Sequence, residues 1–195
     1  MFSFTKSISA TALVVAALSS LAANVVAWHD VAVAELQCKD FCGTFTFSEG
    51  SLSKGKYQTL INVKVDRSNP AEHYMWHIHD NPVAAGDQTC ECNSVGGHFN
   101  PTKIPEGTKC DPSCAVDTCH MGDLAGVYGN ITGGSYTGKF EGKKLNLYTP
   151  TKLAQAGTSI VVHDCNGKKV CCGTINLVKD VKGNPVLRGS STKKN

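Results

Sequence analysis

Short runs of alternating side chains dominate this chain, and a period of two admits sheets and little else. In "YQTLINVKV" the residues Tyr57, Thr59, Ile61, Val63 and Val65 fall on one side of an extended backbone. Phe45 and Phe47 alternate with threonines in "GTFTFSE", Leu145 and Leu147 alternate in "KKLNLY", and Ile160 and Val162 in "SIVVHD". Gly-rich turns ("SEGSLSKGK", "GNITGGSYTG", "FEGKK") separate the runs. Several short strands at such spacing predict an all-β chain, an antiparallel sandwich or barrel. No 3.6-residue apolar pattern of useful length follows the N-terminal segment.

That N-terminal segment sets the compartment. Lys6 precedes an apolar run from about Ala10 to Leu21, no acidic residue occurs before Asp30, and Val25-Val26-Ala27 suits cleavage. The pattern predicts a secretory signal peptide over residues 1–27, too short for a comfortable membrane span. Its removal takes away Lys6 alone, so the formal charge falls from +3 to +2. A charge that small does not argue for nucleic acid or a membrane surface. The polar end "GSSTKKN" carries no lipid-anchor tail, so free secretion to the extracellular space is expected. Residues 28–178 then form one domain with a real core, and residues 179–195 a basic, frayed tail.

All ten cysteines lie in the expected mature chain. An even count in an oxidising compartment reads as up to five disulfides. No C-x-x-C pair occurs, which disfavours both a Cys-ligated zinc site and a thiol oxidoreductase. Asn130-Ile131-Thr132 is a glycosylation sequon that also reads as a plain turn. From Asp80 to about Leu124 the alternation stops, and five of the ten cysteines fall there. So long a loop is functional or disordered, and cross-links favour function.

The seven histidines carry the chemistry. In "YMWHIHDNP", His77 and His79 share one face while Trp76 and Ile78 enter the core, so both imidazoles look outward. His98 follows Gly96-Gly97 in the long loop, and His163 ends a strand on the face opposite Ile160 and Val162. Four imidazoles can wrap one ion at about 2.0–2.1 Å. Nitrogen ligands without a free thiolate suit a tetragonal Cu(II) site, with zinc also open on chemistry alone. His29 reads as a tail residue and His73 as structural.

Taken together and in order, "HIHDNPV", "CNSVGGHFNP", "CHMGDLAG", "SIVVHD" and "CCGTI" resemble the copper/zinc superoxide dismutase family. The resemblance spans about Gly43 to Leu177 and implies a Greek-key β-barrel with its metals outside it, on long disulfide-tied loops. It implies copper ligands His77, His79, His98 and His163, and a loop-anchoring disulfide between Cys92 and Cys172. For the other cysteines, pairs of Cys165 with Cys171 and among Cys110, Cys114 and Cys119 are expected from proximity alone.

Two departures bear on the implied zinc. His98, His120 and Asp123 keep three zinc places, but the fourth falls on Glu106 rather than histidine. The segment from His163 to Cys172 is only "DCNGKKVC", where zinc-containing members carry a long charged loop. A leader, many cysteines and that short loop resemble the secreted copper-only dismutases of fungi, although a retained His120 is less typical of them. The implied cofactor is copper, with zinc left open. The implied substrate is superoxide, disproportionated to oxygen and hydrogen peroxide, with His98 shuttling a proton and Asp123 orienting its ring. Lys169 stands where the family uses an anion-attracting arginine, supplying charge without the planar fork. The alternative is a secreted copper- or zinc-binding protein of the same fold without significant turnover.

Overall fold

Among the described residues, eight strands and two very short α-helices follow one another, and the strands pair antiparallel. The computed structural model describes residues 30–50, 59–67, 71–87, 91–113, 118–142 and 150–179. The expected signal peptide, His29, Tyr57, Cys90, Cys114, the Leu145–Leu147 run and the tail beyond 179 lie outside the described residues. Strands β1 (Val31–Cys38), β2 (Phe41–Glu49) and β3 (Thr59–Arg67) form a meander. The chain then crosses to β4 (Met75–His79) and returns as β5 (Ser135–Gly142) on the outer side of β3. It crosses again to β6 (Ser159–His163) and β7 (Lys169–Thr174), which lie beside β4, and continues as β8 (Asn176–Lys179) against β1. The result is a five-stranded sheet, β5-β3-β2-β1-β8, facing a three-stranded sheet, β4-β6-β7. This is the Greek-key barrel expected from the sequence.

The alternation fixes the core. Phe45, Phe47, Ile61, Val63 and Val65 from one sheet meet Trp76, Ile78, Ile160 and Val162 from the other, all buried. Trp76 packs on Phe45 at 5.8 Å between ring centroids and on Phe140 at 5.4 Å. β1 was not among the expected strands, yet it carries the same signal, with Ala32, Ala34 and Leu36 buried alternately. The helices α1 (Leu124–Tyr128) and α2 (Pro150–Gln155) are too short for a 3.6-residue pattern to announce. α1 is visible only through its cap: the Asp123 carboxylate accepts the Gly126 N–H at 2.8 Å.

Disulfides close the barrel where the sheets touch. Cys38 at the end of β1 bonds to Cys171 on β7, so the expected Cys165–Cys171 pair is wrong. Cys171 points into the core beside β1, whereas Cys165 sits exposed in the β6–β7 turn and keeps a free thiol. Cys42 is also free and exposed on β2, so five disulfides cannot all form. Cys110 pairs with Cys119 inside the long loop, and Cys92 with Cys172.

At Gly173, β7 passes so close to β1 that a Cβ would stand 2.3 Å from the Glu35 carbonyl oxygen. Neither backbone can retreat, because Cys38–Cys171 ties them together nearby. Gly173→Ala should therefore lower stability by about 1–3 kcal/mol, the range of an overpacked core. A shift of the denaturant midpoint checks this, and an unchanged midpoint would mean the strands separate freely there.

Candidate metal centre

The outer face of β4 is roofed by the long loop. Ile78 N–H donates to the Gly122 carbonyl at 2.9 Å, Phe99 N–H to the Ile78 carbonyl at 2.8 Å, and Gly122 N–H to the Phe99 carbonyl at 2.8 Å. Three backbone segments thus meet at Gly122, where a Cβ would lie 2.3 Å from the Ile78 oxygen. The expectation that His77 and His79 leave the core is met, but they do not reach solvent. They are 6% and 3% exposed because the loop lies over them.

Beneath this roof four rings converge. One ligand nitrogen from each of His77, His79, His98 and His163 lies within 4.8 Å of the other three. β4 supplies His77 and His79, the loop supplies His98 through a bridge to His79, and the end of β6 supplies His163. Among the described residues no other group of three or more His, Cys, Asp or Glu side chains is gathered this way.

Backbone carbonyls decide which nitrogens face inward. His79 Nδ1–H donates to the Gly96 carbonyl at 2.9 Å, and His163 Nδ1–H to the Gly167 carbonyl at 3.0 Å. Both Nε2 atoms are then bare, and they face each other at 3.3 Å. Two lone pairs at that distance repel unless a cation lies between them. Protons are poorly suited to that place. Burial drives His79 from its ordinary value near 6.5 down to about 3 and His98 to about 4, and it also lowers His163. His77 adds a third inward atom. Its Nε2 stands 3.4 Å from Asp123 Oδ1, and its buried Nδ1 has no partner. An ion with bonds of about 2.0–2.1 Å would satisfy these orphaned atoms after sub-ångström closure.

The β6–β7 turn explains how so short a segment can orient His163. Asp164 Oδ1 accepts the N–H of both Asn166 and Lys168 at 2.9 Å, and Gly167 adopts φ +81°. The left-handed glycine aims its carbonyl back at the ring. Across the same turn Lys169 pairs with His163, and its Nζ donates to the Cys92 carbonyl at 2.9 Å. The Cys92–Cys172 disulfide thus holds the loop, the lysine and the strand at one point.

The residues expected around zinc are not assembled into a second cage. Asp123 faces His77 and the Gly126 amide, not His98 alone as expected. Burial would raise its carboxyl, but those hydrogen bonds outweigh it and hold the group below the usual range. His120 is buried, its ring centroid 5.8 Å from that of His98, with Nε2 unpartnered. Glu106 is exposed and acts electrostatically on Asp80. The carbonyls of Gly96 and Gly167, which set the tautomers, were missed from sequence. Gly96 lies two residues before His98 and Gly167 four after His163, and a glycine that near a candidate ligand is the signal they leave.

A sequence model of the copper/zinc superoxide dismutase family matches residues 41–175. The chain belongs to that family. Over 128 residues it is 34% identical to cell surface Cu-only superoxide dismutase 5 of Candida albicans, covering 64% of this chain and 52% of the relative. The chain thus spans about half the length of that relative. It is 30% identical over 121 residues to the Cu-Zn superoxide dismutase of Saccharomyces cerevisiae, covering 62% of this chain and 69% of the yeast protein. The Cu(II) structure of Candida albicans superoxide dismutase 5 superposes with a TM-score of 0.54 at 25% identity, over 77% of this chain and 94% of that one. This dismutase-family chain therefore carries the family's barrel together with a four-histidine cluster.

The depressed histidines give a pH signature in metal-free protein. Above about pH 6.5 both folded and unfolded imidazoles are neutral, and their contribution is complete. Between about pH 6.5 and 4 the unfolded chain binds protons that folded His79 and His98 refuse, so stability falls as pH falls. The thermal midpoint should be flat above about pH 7 and decline below about 6.5. A midpoint that holds constant to about pH 4 would contradict the burial of neutral rings.

Proposed function

We propose that this chain is a copper-dependent superoxide dismutase that works without zinc, converting superoxide to oxygen and hydrogen peroxide. The observation that carries the reading is the pair of bare, opposed Nε2 atoms of His79 and His163 inside the four-histidine cluster. His77 would bind through Nδ1, His79 and His163 through Nε2, and His98 through the nitrogen facing the cluster. Copper held by these four residues would supply the one-electron redox chemistry that superoxide disproportionation needs. His98 is less buried than the other three, which supports a role for it in carrying a proton to the reduced anion. Lys169, held at the Cys92 carbonyl, keeps two ammonium protons for an approaching anion.

Zinc is dispensable in this reading because Asp123 already serves His77. By accepting from Nε2 it would hold the tautomer that leaves Nδ1 free, a role outer carboxylates commonly play. The relatives named cell-surface and Cu-only support both the metal and an extracellular location. Among the described residues no helix is long and apolar enough to cross a membrane. Residues 1–27 would then be a removed leader, 28–178 the barrel domain and 179–195 its basic tail. Superoxide is the substrate, and nothing in the charge pattern invites nucleic acid.

Stopped-flow superoxide decay tests the activity with copper-loaded, zinc-stripped protein. A rate constant of about 10⁸–10⁹ M⁻¹s⁻¹ is expected. Negligible decay that zinc restores would overturn the zinc-free reading, and silence with both metals would leave a binding protein. Lys169→Gln should lower the rate about tenfold and flatten its salt dependence. A rate that keeps its salt slope would remove Lys169 from anion capture. Asp123→Ala should weaken copper binding about 10–100-fold by chelator competition, and unchanged affinity would contradict the tautomer role.

A further inference from the structure

One motif lies apart from the metal centre. Asn130-Ile131-Thr132 is the single Asn-x-Ser/Thr sequence here whose middle residue is not proline, since Asn100-Pro101-Thr102 fails that condition. Ile131 is fully buried and exchanges two backbone bonds with Tyr74: Ile131 N–H donates at 2.9 Å and Tyr74 N–H at 3.0 Å. An extended residue pinned inward turns both neighbours to the opposite side. Asn130 and Thr132 are accordingly exposed together.

The flanking backbone is fixed as well. The Trp76 indole N–H donates to the Gly129 carbonyl at 2.8 Å, and Arg67 N–H to the Gly134 carbonyl at 2.9 Å. These anchors use main-chain acceptors of the sequon's neighbours and leave its polar side chains alone. No hydrogen bond among the described residues engages the Asn130 carboxamide or the Thr132 hydroxyl. The carboxamides of Asn81, Asn93, Asn100 and Asn176, by contrast, all donate within the fold. A substituent on any of those four would disturb a bond, whereas one on Asn130 disturbs none.

We propose that Asn130 is a site of N-linked glycosylation, which rests on the reading that the chain enters the secretory route. In the transfer, Asn130 Nδ2 forms a bond to the anomeric carbon of an oligosaccharide carried on a lipid pyrophosphate. The carbon–oxygen bond to the pyrophosphate breaks, the lipid pyrophosphate leaves, and one amide proton is lost. The glycan stands beyond the C-terminal end of α1, while Asp123 and the metal centre lie at its N-terminal end. It also precedes β5, one of the two outer strands of its sheet among the described residues, where a bulky hydrophilic group discourages edge pairing.

Expression of the full chain in a eukaryotic secretory host tests this, with N-terminal sequencing of the product. One mobility step should vanish on PNGase F treatment, with Asn130 recovered as aspartate by peptide mass mapping. The step should be missing in Asn130→Gln and Thr132→Ala and retained in Thr132→Ser, while the superoxide rate of Asn130→Gln stays within about twofold. A secreted, leader-free product with unmodified Asn130 would overturn the proposal. Retention with the leader intact would fault the secretion reading instead. The same chain behind a heterologous leader then decides Asn130 by the same mass mapping.

Discussion

Two bare imidazole nitrogens held 3.3 Å apart among buried side chains are the constraint around which this molecule is arranged. Left alone they repel, and burial denies them the proton that would relieve it. They stay in place because each ring is tethered at its far side to a backbone carbonyl, Gly96 for His79 and Gly167 for His163. Those carbonyls are in turn fixed by a loop packed on β4 and by a tight hairpin turn. The fold thus directs a set of nitrogen donors inward, whose natural complement is a cation with nitrogen preference.

Holding such a site needs a stiff frame at the loop as well as in the core. The barrel supplies rigidity through the aromatic packing of Trp76, one residue before His77 on the opposite face. The loop has little core of its own: Cys92 and Val95 form a small cluster with Val161. Cross-links take over there, with Cys92–Cys172 anchoring the loop to β7 and Cys110–Cys119 stapling its far part. The same economy explains the short β6–β7 turn. Asp164 and Gly167 orient His163 within five residues, so no long segment is required for that purpose.

The parts legible in the sequence are those governed by period two. Phe45, Phe47, Ile61, Val63, Ile160 and Val162 lie in the core where alternation placed them, and His77 and His79 lie opposite Trp76 and Ile78. Cys171 was mispaired because proximity along the chain says nothing of which strand lies alongside. β7 meets β1 through a connection the pattern does not encode. The burial of the imidazoles was likewise invisible, since it depends on a loop folding back over its own strand. Asp123 carries more than its motif announced: its oxygen stands at His77 and caps α1, and it also acts electrostatically on His98. Glu106, reached by counting through the loop, stands exposed and acts electrostatically on Asp80.

The most direct measurement is pulsed electron paramagnetic resonance of the full chain titrated with Cu(II). The account predicts one strongly bound ion per chain with nitrogen couplings from four imidazoles, one of them lost in each of His77→Ala and His163→Ala. Copper held through oxygen or sulfur donors, or a spectrum indifferent to both substitutions, would contradict it.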